Sequence, residues 1–176
     1  MAGAKDVVDR TAGALGWAGS VSPELDWAAV EGWVGTALPA DYKEFMSRFP
    51  SGVFRDVVRI LNPVQDRRWS AAFRSDADSM LIGVRSLWEE EGGYPPFPEP
   101  GGLIPFAGDV AGGSLCWLPW TADPDEWHVV HLSRSSYRTR TRRSMTAVMR
   151  ELATSRSERN VLGWDLADTE RTFEPF

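Results

Sequence analysis

The chain has 176 residues, 43% hydrophobic and 25% charged, with one cysteine and a net charge of −6. That length supports one full core without help from a metal or disulfide, and a lone Cys116 excludes an intramolecular bridge. No apolar run nears the roughly 18 to 20 residues of a membrane-crossing helix and no secretion signal opens the chain, so a cytoplasmic location is expected.

Residues 1–20, rich in Ala, Gly and Val, have no sustained period and predict a poorly fixed lead-in holding at most one short helix. From residue 21 onward a single domain is expected. Ser22-Pro23-Glu24 predicts a helix start, with Ser22 as the cap and Leu25, Ala29 and Trp33 on one face up to Gly35. A second helix is predicted from Leu38-Pro39, where Tyr42, Phe45, Met46 and Phe49 follow the i, i+3, i+4, i+7 rule and Pro50-Ser51-Gly52 stops it. Val53 to Leu61 reads as one strand ending at Asn62-Pro63.

Asp66 to Trp88 is mostly helical by pattern, although Met80 to Val84 would also suit an extended segment. Glu89-Glu90-Glu91 and Gly92-Gly93 close it, and a proline-rich connector follows from Tyr94 to Gly102. Three strands are predicted over Leu103–Phe106, Ser114–Leu118 and Trp127–Leu132. Gly108-Asp109 with Gly112-Gly113, then Asp123-Pro124-Asp125, separate them, and such short loops favour an antiparallel meander. Ser144 caps a last helix carrying Met145, Val148, Met149 and Leu152, and a polar tail runs from residue 155 to 176.

Few residues suggest chemistry. On a strand, the odd spacing of His128 and His131 points the rings to opposite faces, and Cys116 adds too few ligands for a metal. Cys116 itself, between Leu115 and Trp117, reads as a small buried hydrophobe. The stretch Gly108 to Ser114 lacks the Gly-Lys-Ser/Thr ending of a phosphate loop, and turn chemistry accounts for it. No catalytic residue, cofactor or metal is predicted.

Charge is unevenly spread. Five of the 19 basic residues fall within Arg134–Arg143, leaving 14 basic against 25 acidic residues elsewhere, a balance of −11. The arginine segment is the one argument for nucleic acid; a solvated loop, or a salt-bridge partner for the acidic surface, is the competing reading.

Leu38-Pro39-Ala-Asp41-Tyr42-Lys43-Glu-Phe45 resembles the Leu-Pro-x-Asp-Tyr-Lys-x-Phe helix of the SUKH superfamily. Pro98 to Phe106, Gly108-Asp109 with Gly112-Gly113, Leu115 and Trp117, and Asp123-Pro124-Asp125-Glu126-Trp127 with Val129-Val130 continue the resemblance in order, over about 38–152. It implies an α+β fold with a small, mainly antiparallel central sheet flanked by helices. It also implies a non-catalytic protein-binding module, typically an immunity protein that neutralises a secreted bacterial toxin domain, such as a basic nuclease, encoded nearby. The acidic balance suits a basic partner on physical grounds alone. Candidate contacts are exposed aromatic and acidic loop residues: Trp120, Asp123, Asp125, Glu126 and Glu89, Glu90 and Glu91. The alternatives are a regulatory or scaffolding interaction domain unrelated to toxins, and nucleic-acid binding through Arg134–Arg143.

Overall fold

A computed structural model describes residues 3–176. In chain order it contains α1 (Ala4–Ala14), α2 (Trp27–Val34), α3 (Ala40–Arg48), β1 (Gly52–Phe54), β2 (Val58–Ile60), α4 (Arg67–Glu91), β3 (Ile104–Asp109), β4 (Ser114–Leu118), β5 (His128–Leu132), β6 (Arg138–Thr141), α5 (Met145–Thr154) and β7 (Phe173–Pro175), with a single 3-10 turn at Pro124–Glu126. The strands form one seven-stranded sheet in the order β6-β5-β4-β3-β2-β1-β7, antiparallel throughout. This is the α+β architecture that the resemblance implies.

The larger core joins α1, α3 and α5 to the sheet, with Phe45, Phe49, Phe54, Val129 and Met149 all fully or almost fully buried. A smaller cluster joins Val84 of α4 to Leu103, Cys116, Leu118, Val130 and Leu132. The alternation of a pleated strand supplies both clusters, since neighbours such as Val129 and Val130 point to opposite sides. Pro105, which has no N–H to give a ladder, sits where the β3–β4 register shifts.

Helix α3 shows how the local sequence positions distant elements. Tyr42 is fully buried and meets Trp117 edge-on, with ring centroids 4.7 Å apart. Its neighbour Asp41 faces α5, accepting from the Thr146 backbone N–H at 3.0 Å and the Thr146 hydroxyl at 2.9 Å. That satisfies a donor which the first turn of α5 would otherwise leave open.

Several expectations are corrected. Residues 4–14 of the supposed lead-in form α1, with Val8 and Ala12 buried against the core; residues 1 and 2 lie outside the described residues. Helix α2 starts at Trp27, and Asp26 rather than Ser22 caps it by accepting from Ala29 N–H. Helix α4 is continuous through Met80–Val84. The single strand expected over Val53–Leu61 is a hairpin, turned at Arg55 and Asp56, both with positive φ (53° and 56°). Part of the arginine segment is the edge strand β6 instead of a loop.

Arg55 explains the hairpin and much of the tail. Its side chain is buried and donates to five carbonyls: Leu152 and Ser155 at the end of α5, then Leu166, Thr169 and Glu170. The open carbonyls and negative end of a helix C-terminus suit a cation. A left-handed conformation is uncommon for arginine, and this network holds it there while tying residues 166–170 to the domain.

Candidate functional site

The β4–β5 loop gathers four of the expected contact residues. Asp123 accepts from Asp125 N–H at 3.0 Å, Pro124 sets the first position of the 3-10 turn, and Thr121 Oγ1 donates to Asp123 O. Two indoles lock the loop from either side: Trp127 donates to Thr121 O at 3.0 Å and Trp120 to Glu126 O at 2.8 Å. Trp127 is buried, whereas Trp120 is 55% exposed. Beneath Trp120 lies His128, stacked at a centroid distance of 5.0 Å.

Not every acid in the loop is free. Asp125 Oδ1 accepts from Ala40 N–H at 2.6 Å, capping the start of α3. The residue ahead of that helix is Pro39, whose side chain has no polar group to serve as a cap. Asp123 and Glu126 keep their carboxylates exposed.

The second acidic group closes α4. Glu89 and Glu90 are exposed, while Glu91 pairs with Arg138 of β6 at 3.3 Å. Three carboxylates at the negative end of a 25-residue helix oppose its dipole. Folding alone gives no reason for Glu89 and Glu90 there.

The arginine segment is largely engaged within the chain. Arg143 forms a two-pronged pair with Glu151 at 2.7 and 2.8 Å. Arg140 donates to His128 Nδ1 from both Nε and Nη2, at 3.0 and 2.7 Å. That nitrogen therefore acts as an acceptor; burial, with the charges of Arg140 and Arg142, pushes the His128 pKa down. Arg134 and Arg142 remain exposed.

The histidines part as the strand spacing predicts. His131, fully buried, bonds Asp109 Oδ2 at 2.7 Å. Asp109 also accepts from Ala111 and Gly113 N–H across the Gly112 turn, at 2.8 and 2.9 Å. Burial alone would raise the Asp109 pKa, but these donors and His131 hold it below the ordinary carboxylate range. Cys116 is fully buried and its thiol pKa is driven up by burial, which disfavours the reactive thiolate. Among the described residues no group of three or more His, Cys, Asp or Glu side chains could hold a metal. Nor, among them, is any helix long and apolar enough to cross a membrane.

The arrangement thus offers rigid aromatic and acidic contact area. Sequence reasoning placed the loop acids and Trp120 at the surface and offered the arginine segment as a salt-bridge partner for acids, but it did not single out Glu91 as one or show that Asp125 caps α3. It also passed over Arg55, whose one signal was a charge inside a Val- and Phe-rich run. A model of the SMI1 / KNR4 family (SUKH-1) matches residues 23–151. No curated protein and no solved structure gives a match.

Proposed function

The chain belongs to the SMI1 / KNR4 family (SUKH-1), and on that premise we propose that it is a non-catalytic immunity protein that docks on a secreted toxin domain and blocks it. The observation that carries the reading is Trp120. A tryptophan more than half exposed costs solubility, yet this one is held in a single orientation by the bond to Glu126 O and by the His128 ring beneath it. Pre-ordered aromatic side chains amid polar groups are where protein interfaces concentrate their energy. Asp123 and Glu126 beside it, with Glu89 and Glu90 at the end of α4, favour a basic partner such as a nuclease.

The test is co-expression with the toxin domain encoded by the adjacent gene. Growth should be rescued and the two proteins should co-purify with Kd in the nanomolar range or below. Trp120→Ala should weaken the complex about 25-fold or more, the loss typical of a central anchor, while leaving the unfolding midpoint nearly unchanged. Retained toxicity and no complex would refute the reading.

A further inference from the structure

A cavity of about 380 Å³ lies between α4 and the end of the sheet where β3 stops and β4 begins. That volume falls within the roughly 300 to 1,000 Å³ of small-molecule sites. Its apolar wall comes from Met80, Val84 and Leu87 of α4 and Leu132 of β5. We propose that this cavity binds a small organic phosphate, with the phosphate held by Arg59 and Arg134 and the apolar part laid on α4.

Two glycines that folding does not require keep the space open. Gly83 stands inside α4, where glycine weakens a helix relative to alanine. A side chain there would meet nothing within 4 Å. Gly108 lines the sheet side, clear of the register shift between Pro105 and Ala107. A Cβ on it would make only ordinary contacts, 3.6 Å from Gly113 O and 4.0 Å from Arg59 Nη2. Neither glycine has the positive φ that favours this residue. Away from a bulge, glycine in a strand marks a place where another group approaches the backbone closely.

The polar part of the wall is cationic. Arg59 of β2 reaches Gly108, and Arg134 Cδ lies 3.5 Å from where a Cβ on Gly112 would stand, so both arginines rest on the β3–β4 turn. Asp76 takes Nη2 of Arg59 at 2.6 Å, which leaves Nε and Nη1 to spare. No carboxylate among the described residues pairs with Arg134, which is exposed. The one carboxylate in the wall, Asp109, has a side chain only 1% exposed. It is already bonded to His131 and to the Ala111 and Gly113 N–H groups. Ser114 and Ser136 add hydroxyl donors.

Guanidinium forks match phosphate oxygens in geometry and charge. A phosphate monoester carries about −1.5 to −2 near pH 7 and offers three acceptor oxygens, which suits two arginines better than a single carboxylate does. Sequence alone shows no phosphate loop here because the cations come from β2 and from the β5–β6 turn, brought together by strand order. The cavity meets β4 at Ser114, whereas Trp120 follows the far end of that strand. It is therefore a second site, and its test needs no toxin.

Calorimetric titration of the intact protein with phenyl phosphate, inorganic phosphate and phenol separates the contributions. Phenyl phosphate should bind saturably, at least about 10-fold tighter than inorganic phosphate, and phenol should not bind. Arg134→Ala should weaken phenyl phosphate about 10-fold or more. Gly83→Leu, which projects a side chain from α4 and removes no polar contact, should abolish binding. If that variant does not fold, Arg134→Ala decides. No saturable binding of phenyl phosphate would overturn the proposal. So would phenol binding as tightly, which would mark a purely apolar cavity, or full affinity in both variants, which would place the anion elsewhere.

Discussion

Arg55 and Asp125 show how one side chain can hold distant segments together. Arg55 is a buried cation whose five partners are all carbonyls. Arg55→Ala would strand those acceptors and remove the bonds that hold residues 166–170, at a cost of about 3 kcal/mol or more. Arg55→Lys should recover only part of this, because an ammonium has three donors and no planar fork. Urea unfolding gives the loss, and limited proteolysis should show the tail cut first; a variant as stable as the wild type would mean the network contributes little. Asp125 invites a finer dissection. Asp125→Ala removes the acceptor for Ala40 N–H and should cost about 1 kcal/mol, as for other lost helix caps. Asp125→Asn keeps an acceptor and removes the charge, so it should preserve stability while slowing association with a basic partner. If both variants destabilise equally, the charge is what α3 needs.

Among the elements, the edge strand β6 should respond in its stability to pH near neutrality. Its Arg140 donates to a neutral His128, whose pKa in the fold is lowered by burial, Arg140 and Arg142. In the unfolded chain the same ring takes a proton near pH 6.5. The stability that depends on the neutral ring is therefore complete above about pH 6.5. It is lost as pH falls through that value toward the lower folded pKa, since the unfolded chain then binds the extra proton. Urea midpoints at pH 7.5 and 5.5 should drop in the wild type and drop less in His128→Gln; equal drops would place the sensitivity elsewhere. The elements read most faithfully from the sequence are those whose signals are local. Helix α3 has its apolar stripe, α5 has Ser144, and β4 runs from Ser114 to Leu118 as its flanking turns predict. Helix α1 carries a stripe too, through Val8, Thr11, Ala12 and Leu15, but its small residues give a weak contrast until α3 and α5 cover them. The β1–β2 turn was illegible because Arg-Asp is no turn signature; contacts roughly a hundred residues away hold its geometry.

At the scale of the whole molecule, charge is what the sequence disclosed best, and the fold refines it. The arginine segment, the one positive stretch in a chain otherwise at −11, pairs with Glu91 and Glu151 and braces His128. Two of its five positive charges are thus offset by carboxylates, while Arg134 and Arg142 stay exposed. Asp123, Glu126, Glu89 and Glu90 stay exposed. No sequence pattern could have shown that Glu91 would pair with Arg138 or that Asp125 would bond Ala40, because these contacts span 47 and 85 residues. A surface with this imbalance should accelerate encounter with a basic protein partner through long-range attraction, which salt screens over about 10 Å at 0.1 M. Short-range contacts such as Trp120 act mainly after encounter. Stopped-flow association should therefore slow at least about 10-fold between 50 and 500 mM salt while dissociation changes little. Glu89→Gln with Glu90→Gln should flatten that salt dependence, and should also raise thermal stability slightly by easing the charge at the negative end of α4. Association that ignores salt in the wild type would show that the acidic surface does not steer the partner, and would leave the aromatic contacts to account for recognition.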